Sequence, residues 1–189
     1  MKIGQIEKLC KSAKRITVTN DPAHRVQWIG DGSCLYPFFR LPKLTAESVF
    51  AIFDIPEEKQ GKIFFEERDE LPVKMEATET GDDDNLIFPE AGCVVHEGRT
   101  LALFKSSTGI LCIDKKYLSP FDDSVTYHEY CRTNATPYIV VKEGLFVAGI
   151  LFPAAPDERL GEWLVNVGEA ICVSADNARK SVSGTTEID

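Results

Sequence analysis

Apolar and polar positions repeat along this chain with two different periods. Ile3, Ile6, Leu9, Cys10 and Ala13 fall on one arc at 100° per residue, which predicts an amphipathic helix over 3–14. Lys8, Lys11, Lys14 and Arg15 fill most of the opposite arc, interrupted by Glu7. Ile16-Thr-Val-Thr19 then alternates and is β-branched, so it predicts a strand. Asn20 to His24 is a turn cluster, and Val26-Gln-Trp-Ile29 resumes as a strand. Gly30-Asp31-Gly32 predicts a tight turn before Ser33-Cys-Leu-Tyr36 and Pro37, so the region forms a meander. Thr45 is placed to cap a helix over 45–54 that carries Val49, Phe50, Ile52 and Phe53, and Pro56 stops it. Residues 62–66 predict a short strand.

The second half is richer in strands. Segments 93–95, 100–104 and 110–113 are separated by Glu97-Gly98 and by Ser106 to Gly109, both hairpin signals. One helical turn fits 114–120, whereas 125–132 suits a strand or a short helix equally. Residues 138–141, a turn at 142–144 and 145–152 form the clearest hairpin. Its last strand is apolar on both faces, as a central strand is. Leu160, Trp163, Leu164, Val167 and Ile171 recur at helical spacing over 156–173, with Asp157 and Glu158 in the first turn. Residues 174–189 are polar and mostly small, and a mobile tail is expected.

These elements define an α+β chain. A mainly antiparallel sheet is expected to carry N-terminal, central and C-terminal helices within a single domain over 1–173. Each half runs strand, turn, strand to an aromatic-proline step (Tyr36-Pro37, Phe152-Pro153) and then a helix, which suggests two related βαββ-like halves. The length of 189 residues and the 43% apolar content suit one folded domain.

Charge changes the picture. The net charge is −9, but residues 1–43 hold eight bases against three acids. Residues 54–90 hold thirteen acids against four bases. Within them Thr78 to Asn85 has no apolar side chain, so an acidic, solvated loop insertion is expected around 76–90. Asp82, Asp83 and Asp84 lack the ligand spacing and turn glycine of a calcium loop. The basic residues Lys8, Lys11, Lys14, Arg15 and Arg25 are the candidate binding set. They would meet phosphates of a nucleic acid, or be solvated, or pair internally with the acidic segment. Two βαββ-like halves in an acidic chain with a basic helix resemble the processivity-clamp domain, and that resemblance implies a sliding-clamp-like contact with DNA through the first helix.

Catalytic and metal signatures are sparse. Cys93, His96, His128 and Cys131 have the ligand types of a tetrahedral zinc site. However, Cys93 and His96 lie three apart in a strand and so point to opposite faces. Cys34, Cys93 or Cys131 with His24, His96 or His128 could make a thiolate pair, but no local nucleophile signature surrounds them. Ser33 is not in a Gly-x-Ser-x-Gly elbow, and Glu66/Glu67, Asp69/Glu70, Asp122/Asp123 and Asp157/Glu158 have no apolar setting suited to acid–base work. No nucleotide-binding, kinase or metalloprotease motif occurs, and no cofactor is expected. No secretory-type apolar stretch follows Met1-Lys2-Ile3, and none reaches membrane-spanning length. The expectation is a cytoplasmic protein with reduced thiols and no membrane contact. Its role would be that of a non-enzymatic binding or adaptor protein with a protein partner, or self-association.

Overall fold

The computed structural model describes residues 2–21, 25–73, 85–107, 109–130, 137–154 and 160–166. Helix α1 (Ile3–Ala13) leads into β1 (Arg15–Asp21), β2 (Val26–Gly30) and β3 (Cys34–Phe39). Helices α2 (Ala46–Ile52) and α3 (Glu57–Gln60) precede β4 (Phe64–Arg68). Then come β5 (Asn85–Ile87), β6 (Pro89–His96), β7 (Arg99–Ser106), β8 (Gly109–Asp114) and a 3-10 turn, Lys115–Leu118. Strands β9 (Thr126–Tyr130), β10 (Tyr138–Glu143) and β11 (Phe146–Leu151) follow, and helix α4 occupies residues 160–166.

The expected α+β class holds, but not with one sheet. Eight strands run in the order β4-β1-β2-β3-β11-β10-β9-β5, and β6-β7-β8 form a separate sheet. Pairing is antiparallel throughout except between β1 and β4. The β1–β4 link can be parallel because α2 and α3 supply the crossover that parallel neighbours need. The chain's last described strand, β11, lies at the centre of the large sheet, as its two-sided apolar pattern predicts.

The core explains the layers. Helix α1 buries Ile6, Leu9 and Cys10, but leaves Ile3 and Ala13 exposed, so its apolar stripe is narrower than the pattern suggests. Together with Val49 and Phe53 those three residues join Ile16, Val18, Ile29, Tyr36, Ile139 and Leu151 on one face of the large sheet. The small sheet adds Ala102, Phe104, Leu111 and Ile113 to the same cluster. Its opposite face packs Leu101, Leu103 and Cys112 against Leu160 and Leu164. Helix α4 therefore rests on the small sheet, not on the large one. Trp163 is half-exposed, and Val167 and Ile171 lie outside the described residues.

Local chemistry sets the element ends. Thr45 caps α2 as expected: its side chain accepts from the Ser48 amide, and Ser48 Oγ accepts from the Thr45 amide. Helix α1 ends at Lys14, whose φ of 51° turns the chain directly into β1. The ambiguous segment 125–132 is a strand over Thr126–Tyr130. The acidic insertion is not loop throughout, because Ile87 is buried and draws Asn85–Ile87 into the sheet beside β9. Residues 74–84, with Asp82, Asp83 and Asp84, and the tail 174–189 lie outside the described residues.

One buried polar cluster joins the β2–β3 turn to the 3-10 turn that follows the small sheet. In the β2–β3 turn, a Cβ on Gly30 would stand 1.7 Å from the Cys34 carbonyl oxygen, so only glycine fits. The Asp31 carboxylate accepts from the Ser33 amide at 3.0 Å and from the Tyr117 hydroxyl at 2.8 Å. Tyr36 donates back to the Tyr117 carbonyl at 3.0 Å. Replacing Tyr117 by Phe removes a hydrogen bond to a buried carboxylate, and such bonds contribute about 1.5–3 kcal/mol. Urea unfolding of Tyr117→Phe is expected to show a stability loss of that order with an unchanged m-value; parent-like stability would show that the cluster is not a staple.

Candidate binding site

The predicted basic set does not form one surface. Arg15 and Arg25 stand at opposite ends of β1, which at strand rise spans about 20 Å. Lys11 binds Glu7 at 2.7 Å and donates to the Asp54 carbonyl at 3.2 Å. Arg15 binds Glu66 at 2.7 Å and lies 5.3 Å from the Phe64 ring centroid. Because β4 runs parallel to β1, Glu66 and Glu67 are carried alongside the basic residues. Glu67 takes Lys43 at 2.6 Å and accepts from the Asn20 amide at 2.9 Å. The internal pairing weighed from sequence thus holds for Arg15, while Lys8 and Lys14 stay exposed with no ion pair among the described residues.

The zinc candidates are likewise dispersed. Cys93 and His96 sit on β6 of the small sheet, and His128 sits on β9 of the large one. His128 Nε2 is 2.8 Å from Thr126 Oγ1. Cys131 lies outside the described residues, and among those described no group of three or more His, Cys, Asp or Glu could hold a metal. Cys10, Cys34 and Cys112 are buried, and Cys93 is exposed. Burial, reinforced by the Asp31 charge, raises the Cys34 thiol well above its usual value and pushes Cys10 up to about 12. That is the reverse of what a thiolate nucleophile needs.

The site that does assemble lies at the end of the large sheet where β3 and β11 part. The Phe152 amide donates to the Ser33 carbonyl at 3.0 Å, and Cys34/Leu151 and Leu35/Ile150 continue the pairing. Main-chain groups two residues apart face the same neighbour, so the next donor toward β11 would be residue 37. That residue is proline and has no N–H. In the same register its opposite number is Ala148. The ladder from β10 to β11 shifts at this point: Val141 pairs Gly149 and Lys142 pairs Val147, so Ala148 is the extra residue of a bulge. Both strands therefore fail at one position, and they diverge beyond it.

The divergence opens a cleft of about 380 Å³ lined by Pro37, Phe39, Glu143, Phe146, Val147 and Ala148. Of these, Phe39 and Phe146 are exposed, at 45% and 62%. A larger cavity of about 700 Å³ has Leu41, Arg25, Arg40, Lys43, Asp21, Asp69 and Val26 on its walls. Gln27 shapes that cavity. Its side chain donates to the Leu41 and Pro42 carbonyls at 3.2 and 2.8 Å and accepts from the Leu44 amide at 2.6 Å. Of the predicted binding residues only Arg25 is here. Sequence reasoning missed Phe39, Arg40, Lys43 and Phe146; the usable signal was a glutamine inside the apolar run Val26-Gln27-Trp28-Ile29.

No protein-family model matches this chain, and no curated protein or solved structure is significantly similar to it. Among the described residues no helix is long and apolar enough to cross a membrane.

Two outcomes are expected from this chemistry. Native protein treated with an alkylating reagent near neutral pH should be modified at Cys93, with Cys10, Cys34 and Cys112 protected, as mapped by mass spectrometry; fast labelling of Cys34 would restore a reactive-thiol reading. Hydrogen bonds from Arg15 and Arg68 hold the Glu66 carboxyl below its ordinary range. A lowered folded pKa adds stability above the unfolded value of about 4.3 and loses it as pH falls through the folded value. Glu66→Gln should therefore be less stable than the parent at pH 7, and the difference should close in acid, as denaturant unfolding across pH would show.

Proposed function

We propose that this chain is a non-enzymatic binding protein whose docking face is the sheet end around the β3–β11 cleft, and that it takes an extended segment of a protein partner there. The observation that carries this reading is the coincidence of Pro37 and the Ala148 bulge in one register, beside exposed Phe39 and Phe146. Aromatic anchors over a concave, apolar floor have the composition of interface centres. An extended segment also suits the place, because strands that part leave main-chain groups able to pair with a third strand.

The sheet's outer edges are poor rivals. Strand β5 has three residues, and β4 carries Glu66, Glu67 and Arg68, a pattern that opposes edge-to-edge pairing. The buried thiols with raised pKa values support leaving enzymatic chemistry aside. A clamp-like reading draws support from the strand order, in which the β1-β2-β3 and β9-β10-β11 meanders meet at their last strands as two related halves would. It takes second place because Lys11 and Arg15 are engaged within the chain.

Selection of a random peptide library on the full chain tests the proposal. Peptides rich in aromatic and aliphatic residues should be enriched, and Phe146→Asp should lose them while keeping the parent's unfolding profile. No enrichment, or peptides that bind Phe146→Asp as well as the parent, would refute it.

A further inference from the structure

Two arginines, Arg25 and Arg40, line the larger cavity. The β2–β3 ladder ends at the Val26–Phe39 pair, and Arg25 and Arg40 are the residues just outside it on the two strands. Both residues hold a left-handed backbone, with φ of 54° and 58°, a region non-glycine residues adopt infrequently. Neither has an ion pair or a side-chain hydrogen bond among the described residues. The cavity's third base, Lys43, is different, since Glu67 holds it. Two acids, Asp21 and Asp69, also lie on the walls. Val26, Leu41 and Pro42 provide an apolar wall, and the three Gln27 hydrogen bonds hold that wall in place.

We infer that this cavity is a binding site for an oxyanion group, phosphoryl or carboxyl, clamped between Arg25 and Arg40 with the ligand's apolar body against Val26, Leu41 and Pro42. A guanidinium offers two parallel N–H donors that match the oxygens of either group. An anion seated in the cavity is attracted by both guanidinium groups. The volume of about 700 Å³ falls within the range of small-molecule sites. The inference does not rest on the peptide-docking reading, which uses the other cleft and a different residue set.

Titration of isotope-labelled full-length protein with inorganic phosphate, and separately with succinate, tests it by amide NMR, with sodium chloride at matched ionic strength as the screening control. Saturable shifts at Val26, Leu41 and Lys43 are expected for at least one anion. Arg25→Asn and Arg40→Asn keep a residue that tolerates the left-handed backbone, and each should weaken binding roughly tenfold or more. Shifts with phosphate alone make the ligand a phosphoryl compound, and shifts with succinate alone a carboxylate; either upholds the site. Shifts reproduced by chloride, no shifts with either anion, or affinity unchanged in both variants would overturn it.

Discussion

The fold turns on how two strands from opposite ends of the chain are joined. β3 and β11 form the centre of the large sheet, yet their ladder runs only from the Phe152–Ser33 bond to Leu35/Ile150. So short a junction needs other support, and the Asp31 cluster lies beside it. Tyr117 reaches Asp31 from 86 positions away and is itself held by Tyr36, so the β2–β3 turn is fastened to the segment that follows the small sheet. Gly149 lets β11 pass close to that cluster: a Cβ there would stand 2.6 Å from Phe121 Cζ. The junction is therefore tight at one end and open at the other, and both candidate binding cavities lie at the open end.

Charge follows the same logic of placement. Viewed along the chain, the basic first third and the acidic middle look like two separate surfaces. The parallel return of β4 beside β1 brings Glu66 and Glu67 next to Arg15, Asn20 and Lys43 and cancels much of that separation. What survives is local: Lys8 and Lys14 on α1, and Arg25 and Arg40 on one cavity wall at the far end of the sheet.

Local signals in the sequence were dependable where an element is set by its own residues. The Thr45 cap, the Gly30-Asp-Gly turn and the 138–152 hairpin all appear where their patterns place them, and so does the described part of the C-terminal helix, residues 160–166. Pairings between distant segments were not legible. Nothing in Phe64-Phe-Glu-Glu-Arg68 says that it lies parallel to β1, and nothing in 93–113 says that its strands leave the main sheet. The candidate sites belong to this second kind. Pro37 and Ala148 are unremarkable alone, and they matter only because β3–β11 pairing sets them face to face. Arg40 similarly gains meaning only once the fold brings it and Arg25 to the wall of one cavity.

The placement of β11 also governs the order of assembly. Strands β1, β2 and β3 can close as a local meander early, but the neighbour that completes the sheet is among the last described segments to be synthesised. Until then Cys34–Phe39 is an unpaired, wholly apolar border, and joining it to β11 requires closing a loop through most of the chain, which slows folding. Pro37 sits in the middle of that border and denies a donor to any strand that arrives first. The residue that interrupts the finished ladder is thus also a safeguard against wrong partners while the polypeptide is still incomplete.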